Sequence, residues 1–362
     1  TLVYPGYHRR IMNDNPELPV PFSRARRRVT WAVSAFVFLL IAGATVAGGG
    51  FVMLHRAYSD PGPLAEPITI VIPAGASGYK IAQSLTETGV SADRRLVQLV
   101  LRVFAPDKPL RAGEYAFPSA ISLRDAIAKL QSGDTVVRRI TIAEGLTTRE
   151  VLAALAIADG LVGDLPDVSE HGEGTLLPET YHYNFGDSRA DVAARMATAM
   201  EAEIVLLWAA RVPELPLKTP LEALVLASII ERETAVPAER RRVAAVFINR
   251  LRRGMRLQSD PTVAYGLLDA NGQPGTFDGR LLFRHLETDH PFNTYTRDGL
   301  PPAPIANPGR ASLAAALNPA TSKDLYFVAD GSGGHAFARS LAEHNRNVAK
   351  WRRIDRARRK AR

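Results

Sequence analysis

From Val29 to Leu54 the chain runs 26 residues without a charged side chain. About 20 apolar residues suffice to cross the hydrocarbon core of a bilayer. A cleaved signal peptide has a shorter apolar run, roughly 7–15 residues, followed by a small-residue cleavage site; no such site stands out here. The run therefore predicts a single transmembrane helix over 29–54, with Trp31 near one end as an interfacial aromatic. Arg24, Arg26, Arg27 and Arg28 precede it, and only His55 and Arg56 follow closely. Positive charge stays on the cytoplasmic side. The expectation is a disordered cytoplasmic tail over 1–28, a linker over 55–66, and a body outside the inner membrane.

Net charge is +8, but it sits at the two ends. Residues 1–28 carry +4 and the run 350–362 carries +7, which leaves −3 for the rest. A slightly acidic body argues against nucleic acid as a partner. Apolar residues make up 46%, enough for a sizeable core. With no cysteine there is no disulfide framework, thiolate site or cysteine nucleophile. The eight histidines show neither HExxH nor an i,i+4 pair, so no metal and no cofactor is expected.

Past the linker, "ITIVIPAGAS" reads as a strand and turn, and "GYKIAQSLTETG" as a helix ending near Gly89. "ADRRLVQLVLRVF" is a second helix, "LRAGEYAF" a strand, and "SLRDAIAKLQSG" a helix capped by Ser122. "VVRRITIAEG" and "TTREVLAALA" repeat strand, turn and helix. Two small related α/β units are expected over 67–160; such strand–helix–helix–strand modules resemble LysM-like glycan-binding units, though a generic packing module fits the pattern equally. From 189 the pattern turns helical. Thr219, Pro220 and Glu222 match a capping box, giving Glu222 a structural task. Beyond 255 turn signals dominate in "SDPT", "NGQPG" and "DGSGGH", as in a loop-rich cleft. The basic run 350–362 reads as a tail.

"LASIIERETA" places Glu231 and Glu233 at the end of an apolar helix. At 100° per residue, Glu233 falls at about 120°, among Leu226, Ile229 and Ile230, whereas Glu231 falls at about 280°. Desolvation there raises a carboxyl pKa, which suits a general acid for glycoside cleavage. The plain alternative is a helix-end glutamate paired with Arg232, Arg240 or Arg241. Asp260 in "QSDPT" is the obvious second carboxylate and also a natural turn-former. Asn293, Thr294 and Tyr295 in "PFNTYT" offer amide and hydroxyl groups beside aromatics, a mix that suits sugars and equally a polar loop.

Taken together, "ASIIERETA", "VFINRLRRGMRLQSDPTVAYG", "NTYTRDGLPPAPIANPG" and "LYFVADGSGGHAF" resemble the YceG-like endolytic murein transglycosylases, from about 67 to 349. The resemblance implies an α+β protein: one N-terminal transmembrane helix, LysM-like α/β units, and a mainly helical, lysozyme-like catalytic domain over 161–349 with a loop-rich cleft. It implies cleavage of the β-1,4 bond between N-acetylmuramic acid and N-acetylglucosamine in nascent peptidoglycan strands, leaving a 1,6-anhydro end and ending strand growth. The family's catalytic glutamate falls on Glu233, with Gln258, Asp260, Tyr265, Asn293, Thr294 and Tyr295 as substrate-binding residues. Expected partners are peptidoglycan strands, the inner membrane and cell-wall synthases. The competing reading is a non-catalytic, membrane-anchored glycan-binding scaffold. Asn318 departs from the histidine expected in some relatives.

Overall fold

A computed structural model describes residues 24–106, 108–268 and 280–361. Of the expected tail over 1–28, residues 24–28 are helical and 1–23 lie outside the described residues, as does the "NGQPG" turn. The chain divides into two compact units, the first made of 1–68, 77–110 and 117–131, the second of 69–76, 111–116 and 132–362.

In the first unit, helix α1 (Arg24–Ser59) contains the whole uncharged run and continues through His55 and Arg56. Nothing in the sequence stops it before Pro61, so the first part of the expected linker is helical. It is long and apolar enough to cross a membrane. Its apolar side chains point outward, with Phe38 71% and Val46 76% exposed. Water would penalise such a surface, and lipid would not. Helix α2 (Gly78–Glu87) is capped by Ser77, whose hydroxyl accepts from the Lys80 amide. Helix α3 (Arg94–Phe104) is capped by Asp93 in the same way. With helix α4 (Leu123–Ser132), they bury Ile81, Leu85, Val97, Val100, Ile127 and Leu130. Ser122 caps α4 as expected, accepting from the Asp125 amide at 3.1 Å.

The second unit begins with a two-stranded sheet, β1 (Ile68–Ile72) and β2 (Gly113–Phe117). In chain order β1, α2, α3 and β2 follow the expected strand–helix–helix–strand sequence. The next stretch departs from it. Strand β3 (Val137–Thr141) leads to a single helix, α5 (Thr148–Ala156), and then to β4 (Thr180–Asn184). Strands β3 and β4 pair antiparallel, Val137 opposite Asn184 and Thr141 opposite Thr180. Thr147 and Glu150 form the box that opens α5. Val151, Leu152, Leu155, Tyr181, Tyr183 and Met196 make the core beneath.

Helices then dominate: α6 (Arg189–Ala209), α7 (Pro220–Glu233), α8 (Arg240–Arg252), α9 (Asp260–Gly266), α10 (Phe283–Glu287) and α11 (Arg310–Leu317). Packing of α6, α7, α8 and α11 forms a second core, with Leu226, Ile229, Ile230, Phe247 and Leu313 inside. A hairpin of β5 (Tyr326–Ala329) and β6 (His335–Ala338) carries "DGSGG" at its turn. Helix α12 (Leu341–Ala361) follows, and residues 350–361 of the basic run expected as a tail form its second half.

Candidate active site

Helix α7 sets the site. Thr219 Oγ1 accepts from the Glu222 amide at 3.2 Å. The Glu222 carboxylate accepts from the Lys218 amide at 2.5 Å, one residue earlier than a standard capping box. Every residue from Ala223 to Ile230 is buried. At the far end, the Thr234 amide donates to Ile230 O, and Thr234 Oγ1 accepts from the Val236 amide.

The two glutamates at this end part company. Glu231 is held on both oxygens: the Gly309 amide donates to Oε2 at 2.9 Å, and Arg240 Nη2 donates to Oε1 at 3.2 Å. Arg240 also reaches Glu144 at 3.1 Å. The plain reading of a helix-end glutamate paired with arginine thus describes Glu231. It does not describe Glu233, because the three candidate arginines are engaged elsewhere. Arg232 donates to Gly145 O, Arg240 to Glu231 and Glu144, and Arg241 to Asn318.

Glu233 Oε1 accepts from Ser259 Oγ at 2.5 Å. Burial pushes its carboxyl up to about 7. The Ser259 hydrogen bond opposes that rise; the Asp260 charge adds to it, and His335 and Arg250 draw it back. Near neutral pH this group exists both as acid and as carboxylate.

Ser259 is fully buried, and its position is fixed from three sides. Its amide donates to Thr294 Oγ1 at 2.9 Å, and its carbonyl accepts from Thr262 Oγ1 at 2.7 Å. The Thr262 and Thr294 hydroxyls are themselves 2.9 Å apart. Gln258 precedes it in the left-handed region, φ 50°, and its amide donates to Thr294 O at 3.1 Å. Buried Arg250 braces the same turn: Nη1 donates to Leu257 O at 2.7 Å, and Nε donates to Leu325 O on the far segment at 2.7 Å.

Several expected site residues take other positions. Asp260 opens α9 instead of an Asx-turn, because Pro261 fits the first helical turn. Its Oδ1 accepts from Tyr295 OH at 2.6 Å. Burial, with Asp260 second, pushes the Tyr295 phenol above its usual range. Asn293 and Thr294 are 1% and 2% exposed, so they stand inside the wall and not on its surface. Asn293 Nδ2 donates to the carbonyls of His285, Leu286 and Thr288, and Oδ1 accepts from the Tyr295 amide at 2.9 Å. Tyr265 lies 4.9 Å from Phe292, ring centre to ring centre, and its hydroxyl donates to Glu173 at 3.2 Å. Burial raises the Glu173 carboxyl against the hydrogen bonds it accepts. From the hairpin, His335 Nδ1 lies 2.7 Å from Glu239.

Ser259, Arg250, Glu173 and His335 were not legible as site residues. Ser259 stands 26 residues beyond Glu233, in a tripeptide that reads as a turn. His335 left only a histidine after "SGG". The arrangement as a whole offers one poised proton donor on a rigid helix, a fixed hydroxyl beside it, and a second carboxylate already engaged by a phenol. Among the described residues, no group of three or more His, Asp or Glu side chains is placed to hold a metal ion.

The chain is similar to known proteins over most of its length. A family model described as YceG-like matches residues 70–350. The endolytic murein transglycosylase of Bacillus subtilis (strain 168) is 30% identical over 342 residues, covering 86% of this chain and 91% of that protein. The protein of the same name from Streptococcus pneumoniae (strain R6) is 28% identical over 369 residues, covering 88% of this chain and 65% of its own length. A crystal structure of a YceG-like protein from Listeria monocytogenes is 30% identical, covers 78% of this chain and 99% of its own, and has a TM-score of 0.46. The chain belongs to the YceG-like family.

Proposed function

We propose that this protein is a membrane-anchored endolytic peptidoglycan lytic transglycosylase, with Glu233 as its catalytic residue. The observation that carries this reading is the Glu233 carboxyl, raised to about 7 at the end of a buried apolar helix and fixed by Ser259 at 2.5 Å. The names of the relatives support the substrate class.

Protonated Glu233 donates to the glycosidic oxygen between N-acetylmuramic acid and N-acetylglucosamine as that bond breaks. The ionised carboxylate then takes the proton of the muramic C6 hydroxyl, whose oxygen closes on C1. The product is a 1,6-anhydro end, with no water consumed. One carboxyl serves both steps, as its position near neutrality favours. A hydrolase would need a second carboxylate as nucleophile or base. Asp260, whose charge acts on Glu233, is the candidate the sequence suggests, and its hydrogen bond from Tyr295 favours a positioning role. Gln258, Asp260, Tyr265 and Tyr295 then contact the glycan, while Asn293 and Thr294 hold that wall from behind. In the same reading, 67–160 is a LysM-like region and 161–349 a lysozyme-like catalytic domain. The body works in the periplasm on nascent strands, ending their elongation beside the synthases that make them.

Digestion of glycan strands in water enriched in oxygen-18 tests the reaction. Unlabelled anhydromuramic ends are expected. A labelled reducing end makes the enzyme a hydrolase and overturns the mechanism.

A further inference from the structure

Helix α3 carries an apolar arc wider than the first unit covers. Val97 and Val100 are buried in the first unit, with Phe104 half-buried on the same side. Leu96, Leu99 and Val103 form a second stripe at i, i+3 and i+7. Leu99 is 48% exposed and Val103 44% exposed. Arg95 and Arg102 border that stripe, both exposed. A single exposed leucine needs no explanation. A stripe edged by arginines is the pattern of a helix lying in a membrane surface.

The position of α3 along α1 supplies the second observation. Phe104 stacks on Tyr58 of α1 at 4.6 Å, with the rings 3° from parallel. Its ring also lies 6.1 Å from Phe51 and 6.1 Å from His55. Phe51, His55 and Tyr58 follow one another on one face of α1. A hydrocarbon core of about 30 Å takes up ~20 helical residues. Centred on the uncharged run, those residues end near Phe51. Phe104 therefore sits where α1 leaves the hydrocarbon. At ~1.5 Å per residue, Leu99 and Val103 lie within about 8 Å of it along the helix. The headgroup layer is about 5–7 Å deep on each side, so a helix lying along the membrane plane keeps Leu96, Leu99 and Val103 at that level.

We propose that α3 is an interfacial helix: the Leu96, Leu99 and Val103 stripe enters the boundary between acyl chains and headgroups, and Arg95 and Arg102 reach lipid phosphates. The occupant of this face is the membrane already entered by α1, continuous with it through the Phe104 aromatic cluster. The proposal is independent of the catalytic reading and rests only on α1 spanning the bilayer.

The absence of cysteine makes the test direct. The full chain is reconstituted into phospholipid vesicles as four single-cysteine variants, Leu39→Cys, Arg95→Cys, Leu99→Cys and Val103→Cys, each carrying a fluorophore. Quenching is read with doxyl groups placed shallow or deep on the acyl chains and with aqueous iodide. Labels at 99 and 103 are expected to be quenched by shallow doxyl and several-fold protected from iodide. The label at 95 should be iodide-accessible and the label at 39 quenched by deep doxyl. Iodide access at 99 and 103 with protection at 39 overturns the interfacial helix and leaves the anchor standing. Iodide access at 39 as well overturns both.

Discussion

At Glu233 the needs of catalysis and of folding oppose each other. Its carboxyl titrates at about 4.5 when unfolded and at about 7 in place. Below 4.5 both states hold the proton. Between about 4.5 and about 7 the unfolded carboxyl gives up its proton while the folded one keeps it, so stability falls by about 3 kcal/mol across that window, at 1.36 kcal/mol per unit, and levels off above it. Glu233→Gln should therefore melt higher than the parent at pH 8 and equal to it at pH 4. Activity should drop by about 10²- to 10⁴-fold, the usual share of a general acid, and Glu231→Gln should keep its chemistry and lose mainly stability. Equal melting at both pH values would count against the desolvated site. Ser259 and Asp260 tune the same group in opposite directions. Ser259→Ala removes a bond to the charged form, so the alkaline limb of the pH–rate profile should move up. Asp260→Asn removes a repelling charge, so that limb should move down, with anhydro product unchanged. A limb that stays put in both variants refutes this coupling. The sequence showed which glutamate lies on the apolar stripe, but the stripe alone separated the pair weakly. Arg240 was among the expected partners, but the Gly309 amide that joins it in claiming Glu231 comes from a distant segment that a local pattern does not report.

Among the elements, α7 is the one whose packing the site depends on. Ile230 is fully buried one turn before the acid. Ile230→Ala should cost about 2–5 kcal/mol, seen as a lower urea midpoint. Because the cavity would open beneath the last turn, kcat should fall too; a midpoint unchanged within error would mean the turn collapses freely onto α8. The glycine opening α11 is equally constrained: a Cβ at Gly309 would meet the Glu144 carboxyl. The starts of α4 and α7 were readable because caps are local: Ser122 and Thr219 both bond within three residues of themselves. Strand β4 was not foreseen. Its two inward tyrosines alternate over only five residues, and it pairs with a strand about forty positions away. Helix α9 was read as a turn because Asp-Pro serves both purposes. What decides is that Ser259 precedes it as a buried cap residue held by Thr294, a contact 35 residues distant.

For the whole molecule, the arginine cluster in the first turns of α1 and the uncharged run that follows it carry the expected orientation. Protease added outside inner-membrane spheroplasts should digest the body while sparing the span; full protection would reverse the topology. The division of labour among distant segments has a further consequence, carried by Arg250. One guanidinium holds the carbonyls of Leu257 and Leu325, so the turn that presents Ser259 and the strand that leads to His335 share one buried charge. Neither segment can swing away without stranding it, at the cost of an unpaired buried cation. In native-state hydrogen exchange the two stretches should therefore open as one cooperative unit, with matching free energies and denaturant slopes. In Arg250→Lys, whose single ammonium lacks the forked reach, they should separate into two openings, the turn becoming the weaker. The acid would then keep its helix and lose its hydroxyl for part of the time, making local breathing, not global melting, the event that limits how long the enzyme stays armed.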